Sequence, residues 1–158
     1  MKIIISIIVI MTAALLLIPR FMTVNHPARE NKNSGLIRGH LLNCPEKPNC
    51  INTEYPEQTN HYLPPLDVPE SASNQIMQLA KTTLLEMDAY IIKAENNYLA
   101  ATFTSSLFKF VDDFELRLDN AGNKLHIRSA SRLGYSDFGV NKQRVEHFLE
   151  LMNTRLHQ

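Results

Sequence analysis

From Tyr90 onward the spacing of apolar residues changes from three or four to two, and that change constrains the fold more than any other feature. Alternation puts successive side chains on opposite faces of a strand, whereas steps of three and four mark one face of a helix. Tyr90–Ala94 reads as a short strand, and Glu95-Asn96-Asn97 supplies turn residues. Tyr98–Thr104 sets Leu99, Ala101 and Phe103 on one side. Asp113–Asp119 sets Phe114, Leu116 and Leu118 on one side, with Asp113, Glu115 and Arg117 on the other. Asn120-Ala121-Gly122-Asn123 is a hairpin signal. Lys124–Ser131 then returns with Leu125 and Ile127 inward and His126, Arg128 and Arg132 outward.

Helical periodicity brackets this block. Ile76, Leu79, Ala80, Leu84 and Met87 form one apolar face, with Ser71 or Ser73 as candidate cap and Glu70 near the start. Val145, Phe148, Leu149, Met152 and Leu156 form another over 142–156, with Asn141 as candidate N-cap. The order αββββα predicts a two-layer α+β domain, in which a four-stranded antiparallel sheet carries both helices on one face. The other face bears the charges and is expected to be wet.

The amino terminus predicts a membrane or export segment ahead of that domain. Lys2 precedes Ile3–Ile18, a run without a charge. Sixteen helical residues reach about 24 Å, short of a ~30 Å hydrocarbon core unless the span continues to Met22 through Pro19 and Arg20. Residues 1–22 therefore read as a transmembrane signal anchor, with a cleaved signal peptide as alternative; no small-x-small site follows the run closely. Residues 23–40 are polar and aperiodic and read as a tether, leaving 41–158 as the domain. Basic residues after the run (Arg20, Arg29, Lys32, Arg38) weakly favour a cytoplasmic domain by the positive-inside rule.

The cysteines argue the opposite. Cys44 and Cys50 enclose five residues, two of them proline, a loop tight enough to bring the sulfurs together in an oxidising compartment. Reduced thiols, or a zinc site of His40, Cys44, Cys50 and His61, are the alternatives, although that spacing fits no usual zinc pattern. The expected location is thus an oxidising compartment across a membrane, with the domain anchored there or released after cleavage. Prolines 45, 48, 56, 64, 65 and 69 allow little regular structure between the cysteines and the first helix. The chain has 16 basic and 16 acidic residues, and two of the basic ones lie in the leader. The remainder is slightly acidic, which argues against a nucleic-acid partner. The sequence contains no phosphate-loop, dinucleotide or haem motif, so no cofactor is expected.

Residues 128–144 read Arg-Ser-Ala-Ser-Arg-Leu-Gly-Tyr-Ser-Asp-Phe-Gly-Val-Asn-Lys-Gln-Arg, a mixture of donors and acceptors richer than a solvated loop needs. With Asp112-Asp113 and the Cys-Pro-x-x-Pro-Asn-Cys loop, it resembles the domain-of-unknown-function family 1499 (DUF1499) over about Leu41–Leu156. The family's hallmark is Arg-Ser-Ala-Ser-Arg-x-Gly-x-Ser-Asp-x-Gly-x-Asn-x-x-Arg. Ile51-Asn52 departs from the Val-Ser common after the second cysteine. The resemblance implies a bacterial envelope protein and no established activity.

On physical grounds, Arg128, Arg132, Tyr135, Asp137, Asn141 and Arg144 are the candidate ligand-binding residues. Guanidinium forks fit carboxylate and phosphate, and amides at a helix start attract anions. The expected function is a membrane-anchored binding or assembly module for an anionic ligand, a lipid head group or an envelope protein. The competing reading for Arg128 is a cross-strand ion pair with Glu115; for the loop, it is a polar network that satisfies itself. An enzyme is the alternative function: a hydrolase-like polar site at 132–144 using Ser129, Ser131 or Ser136 with His126 and Asp137. Strand parity separates His126 from Ser129 and Ser131.

Overall fold

The computed structural model describes residues 34–121 and 123–157. Eight strands and two α-helices lie within them: β1 Leu36–Ile37, β2 His40–Leu41, β3 Cys50–Asn52, β4 Leu66–Asp67, α1 Ile76–Glu86, β5 Tyr90–Ala94, β6 Tyr98–Thr104, β7 Val111–Asp119, β8 Lys124–Ser131 and α2 Val140–Leu156. A 3-10 turn at Glu70–Ala72 precedes α1.

The meander forms as its alternation dictates. β5, β6, β7 and β8 pair antiparallel in sequence order. The β7–β8 register sets Glu115 opposite Arg128, Arg117 opposite His126 and Asp119 opposite Lys124. The helices cover the inward face, where Phe114, Leu116, Leu125, Ile127, Ile76, Leu84, Val145, Phe148 and Met152 are sealed from solvent. Phe114 anchors this layer through edge-on contacts with Phe103 and Phe148.

The sheet is nevertheless larger than four strands. It has six, because β3 and β4 both pair antiparallel with the free edge of β8, one along Arg128–Ala130 and the other along Lys124–Leu125. The physical reason is the edge itself. A terminal strand presents backbone donors and acceptors that need partners when they lie near the core. The arm supplies them from its few residues free of proline, and Thr53 closes the gap between β3 and β4 by exchanging bonds with Ile127. The Pro-rich stretch thus holds two short strands where little regular structure was expected.

The expected wet face is also covered. The hairpin β1–β2, formed from residues assigned to the tether and the domain start, lies over it. Leu41 is fully buried against Tyr98 and Ala100, a small second core on that side. The anticipated transmembrane or signal helix at 1–22 lies outside the described residues. No helix among the described residues is long and apolar enough to cross a membrane.

Candidate functional site

Beneath the arm, the outward face of the sheet holds a layer of ion pairs in place of a solvated surface. Glu115 is wholly buried. Its carboxylate accepts from the Arg128 guanidinium at 2.8 Å, the Tyr98 hydroxyl at 2.7 Å and the Gly35 amide at 2.6 Å. Asp113 accepts from Arg132 Nη2 at 2.7 Å and Nε at 3.1 Å, a fork-to-carboxylate pairing. Further along, Glu54 accepts from Arg117 at 2.6 Å, His40 at 2.5 Å and the Leu41 amide at 2.9 Å. Burial alone would raise the Glu54 carboxyl, but Arg117, the Leu41 amide and His40 together hold it below its ordinary value. His126 lies beside this group and donates through Nδ1 to the Thr53 carbonyl. Burial pushes its ring below the usual histidine range, partly offset by the Glu54 charge.

The motif's other half belongs to the opposite side of the sheet. Ser129 is buried and donates to Asn141 Oδ1 at 2.5 Å. Asn141 Nδ2 donates to the Asn49 carbonyl and to Ser131 Oγ. Asn49 also receives the Ser131 amide on its carbonyl and donates its side-chain amide to the Gly134 carbonyl. The cysteine loop, β8 and α2 are thereby tied through one asparagine pair. Asn141 is inside the domain rather than capping α2. The N-cap position is Gly139, and the carboxylate that satisfies the helix start comes from Asp137 two residues earlier, whose two oxygens accept from the Gly139 and Asn141 amides at 3.0 and 2.8 Å. Gly139 enters the helix at φ 83°, a left-handed conformation that favours glycine.

This capping has a functional consequence. The helix start expected to attract an anion already holds one, the protein's own carboxylate. Arg144, the residue expected to reinforce it, pairs with Asp112 at 3.0 Å, donates to Asn141 and lies 4.5 Å over the Phe103 ring. Tyr135 projects into solvent, 70 % exposed. The six candidates therefore do not converge. The structure brings Arg128 and Arg132 to one place; Asn141 and Arg144 lie behind the sheet, and Asp137 and Tyr135 lie in the loop between.

That one place is an open cleft of about 540 Å³, lined by Arg128, Arg132, Asp113 and Ala130 from the sheet and by Ile37, Leu42, Cys44 and Pro45 from the arm. Cys44 and Cys50 are joined in a disulfide, with Cα atoms 5.6 Å apart, so the bridge forms part of the cleft wall. This bridge leaves no thiolate for the zinc alternative, and no group of metal-ligating side chains occurs among the described residues. The hydrolase groups stay apart: Ser129 is sealed against Asn141, while His126 faces Thr53 from the other side.

Several residues of this arrangement had no signal in the sequence. Glu54 lies in an aperiodic arm, and nothing marked it as the partner of Arg117. Asn49 and Asn52, both buried, left only a faint cue as asparagines flanking a cysteine. Asn52 bridges the arm to itself, donating to the Leu42 carbonyl and accepting the Glu54 amide.

The motif, its disulfide loop and the meander now stand together, and a family model described as "Protein of unknown function (DUF1499)" matches residues 40–152. The chain belongs to the DUF1499 family. No curated protein matches it. The match runs from β2 into the later turns of α2.

Proposed function

We propose that this DUF1499 chain is a binding module of the bacterial envelope that takes its ligand in the cleft between the disulfide arm and the outward face of the sheet. The observation that carries the reading is the meeting of Arg128 and Arg132, the two strand arginines of the motif, in one open cavity of about 540 Å³. Pockets of this size with mixed apolar walls and a few oriented polar groups suit small ligands. Arg128 Nε is buried without a hydrogen-bond partner among the described residues. A buried donor of that kind is costly unless an acceptor reaches it.

The charges refine the ligand. Each arginine already faces a carboxylate, so the cleft floor is nearly neutral and long-range attraction of anions is weak. Recognition rests on hydrogen-bond direction plus contact with Ile37, Leu42 and Pro45. That combination fits an amphiphile with a carboxylate or phosphate head. The disulfide supports an oxidising location, and we place the domain on the periplasmic side of the inner membrane or free in the periplasm.

Thermal shift of the full-length protein with octanoate, octyl phosphate and octanol tests the reading. A ligand at a hundred times its Kd adds about 2.7 kcal/mol to stability. The two charged amphiphiles should raise the melting temperature, octanol should not, and Arg132→Gln should weaken binding about tenfold. No shift with either charged ligand, or equal shifts in the Arg132→Gln protein, contradicts the proposal.

A further inference from the structure

Two loops at one end of the sheet expose large apolar side chains. The loop from β6 to β7 exposes Leu107 (78 %), Phe108 and Phe110, and the loop from β8 to α2 exposes Leu133, Tyr135 and Phe138 (93 %). Both loops leave the same sheet end. Ser131 pairs with Asp112, and the Arg132 amide donates to the Val111 carbonyl, so Phe110 and Leu133 follow directly from hydrogen-bonded neighbours. The Phe108 and Phe110 rings lie 5.8 Å apart, and the Phe110 amide and carbonyl both bond to Ser105, which holds the first loop closed. The second loop is held by the Asp137 cap and by Asn49 on Gly134. Rigid loops that present apolar side chains to water have a use for them, because contiguous exposed apolar surface is otherwise disfavoured.

We propose that this end of the domain docks on an anionic lipid surface. The shape favours lipid over a folded protein. The side chains stand out singly from loop tips, and a soft interface accepts such protrusions without the matching pockets a rigid partner would need. Phenylalanine, leucine and a tyrosine with a polar tip suit the boundary between head groups and acyl chains. The charges agree. Lys109 sits between Phe108 and Phe110, is exposed, and makes no ion pair among the described residues, whereas Lys142, beyond the second loop, pairs with Glu146 at 3.8 Å. The one acidic side chain in either loop is Asp137, and its carboxylate is occupied by two amides. A cation flanked by aromatic residues fits a negatively charged head-group layer. The patch adjoins the cleft at Arg132 but shares no lining residue with it, and the docking does not depend on the cleft's ligand.

Tryptophan reporters test this in the full-length chain, which contains no tryptophan of its own. F138W and L107W place a reporter in each loop, and N120W places one in the exposed turn at the opposite sheet end. Each is mixed with vesicles of phosphatidylcholine alone or with phosphatidylglycerol, with bromine on the acyl chains as quencher. Whatever attaches the chain to the vesicle, only a reporter at the boundary is quenched. F138W and L107W should be quenched at least twofold more than N120W on the anionic vesicles, less on phosphatidylcholine, and less again when Lys109→Glu is added. Equal quenching of all three reporters, or none at the loops, overturns the proposal. Concentration-dependent dimerisation lost in Phe138→Ser, without loop quenching, also overturns it by assigning the patch to a second copy.

Discussion

Phe114 and Glu115 are neighbours in β7, both fully buried, and they face opposite ways. Phe114 packs among aromatic and aliphatic side chains beneath the helices. Glu115 is surrounded by an arginine, a tyrosine hydroxyl and a backbone amide beneath the arm. One sheet thus carries two cores, one held by apolar packing and the other by directed polar contacts. Truncating either residue tests the comparison most strongly. Phe114→Ala should cost about 3–5 kcal/mol through loss of burial and a cavity. Glu115→Ala should cost a similar amount, about 3–5 kcal/mol, because it strands the Arg128 charge. Chemical denaturation of both proteins measures this. A loss under about 0.5 kcal/mol for Glu115→Ala, the usual effect at a surface position, would mean that the outward face is wet.

The two cores also differ in what seals them. The apolar one is closed by helices of 11 and 17 residues, the polar one by an arm with strands of two and three residues. The bridge between Cys44 and Cys50 compensates for the lack of regular structure. Replacing both cysteines by serine should lower stability by about 2 kcal/mol on the chain-entropy account. Proteolysis should then cut the arm before the meander, and simultaneous loss of both would contradict a separate seal. On the helix side, Asp137→Ala removes the carboxylate that caps α2 and should cost about 1 kcal/mol. Asn141→Asp would sharpen that result, since a charge placed between Ser129 and Asn49 disrupts the interior while Asp137 still caps the helix.

Acidity separates the faces with the smallest effect. His126 has a folded-state pKa below its ordinary 6.5. The unfolded chain therefore takes up the proton first, and stability is full above about 6.5 and declines as pH falls through the interval down to the folded value. Melting temperatures from pH 7.5 to 5.5 should fall in the parent protein and fall less in His126→Gln. Glu54, also depressed, adds a second decline below its ordinary 4.5. A parent protein more stable at pH 5.5 than at 7.5 would contradict the burial of this ring.

How far the sequence could be read follows the same division. Alternation through Phe114, Leu116 and Leu118 and back through Leu125 and Ile127 was long enough to set the β7–β8 register, and with it the pairing of Glu115 and Arg128. The two apolar helix faces were equally legible, as was the cysteine pair. β3 and β4 were not, because two or three residues between prolines carry no period. Without them β8 looked like an edge and the outward face looked open. Asn141 was misplaced for a different reason: asparagine before a helix ordinarily caps it, and only the packing shows that its side chain turns inward to Ser129. Arg128 and Arg132 were found through their residue type and shared parity. Their carboxylate partners on the neighbouring strand are what give the cleft its neutral floor.

The claim on which the rest depends is that Glu115 and Arg128 pair out of solvent beneath the arm, at the floor of the cleft. A double-mutant cycle on Glu115→Gln and Arg128→Met measures it most directly, by denaturation of the two single variants and the double. Charges paired out of solvent should couple by more than about 1 kcal/mol, so that the double variant is less damaged than the sum of the singles. A coupling within about 0.3 kcal/mol of zero would show two independent, solvated side chains and contradict the account.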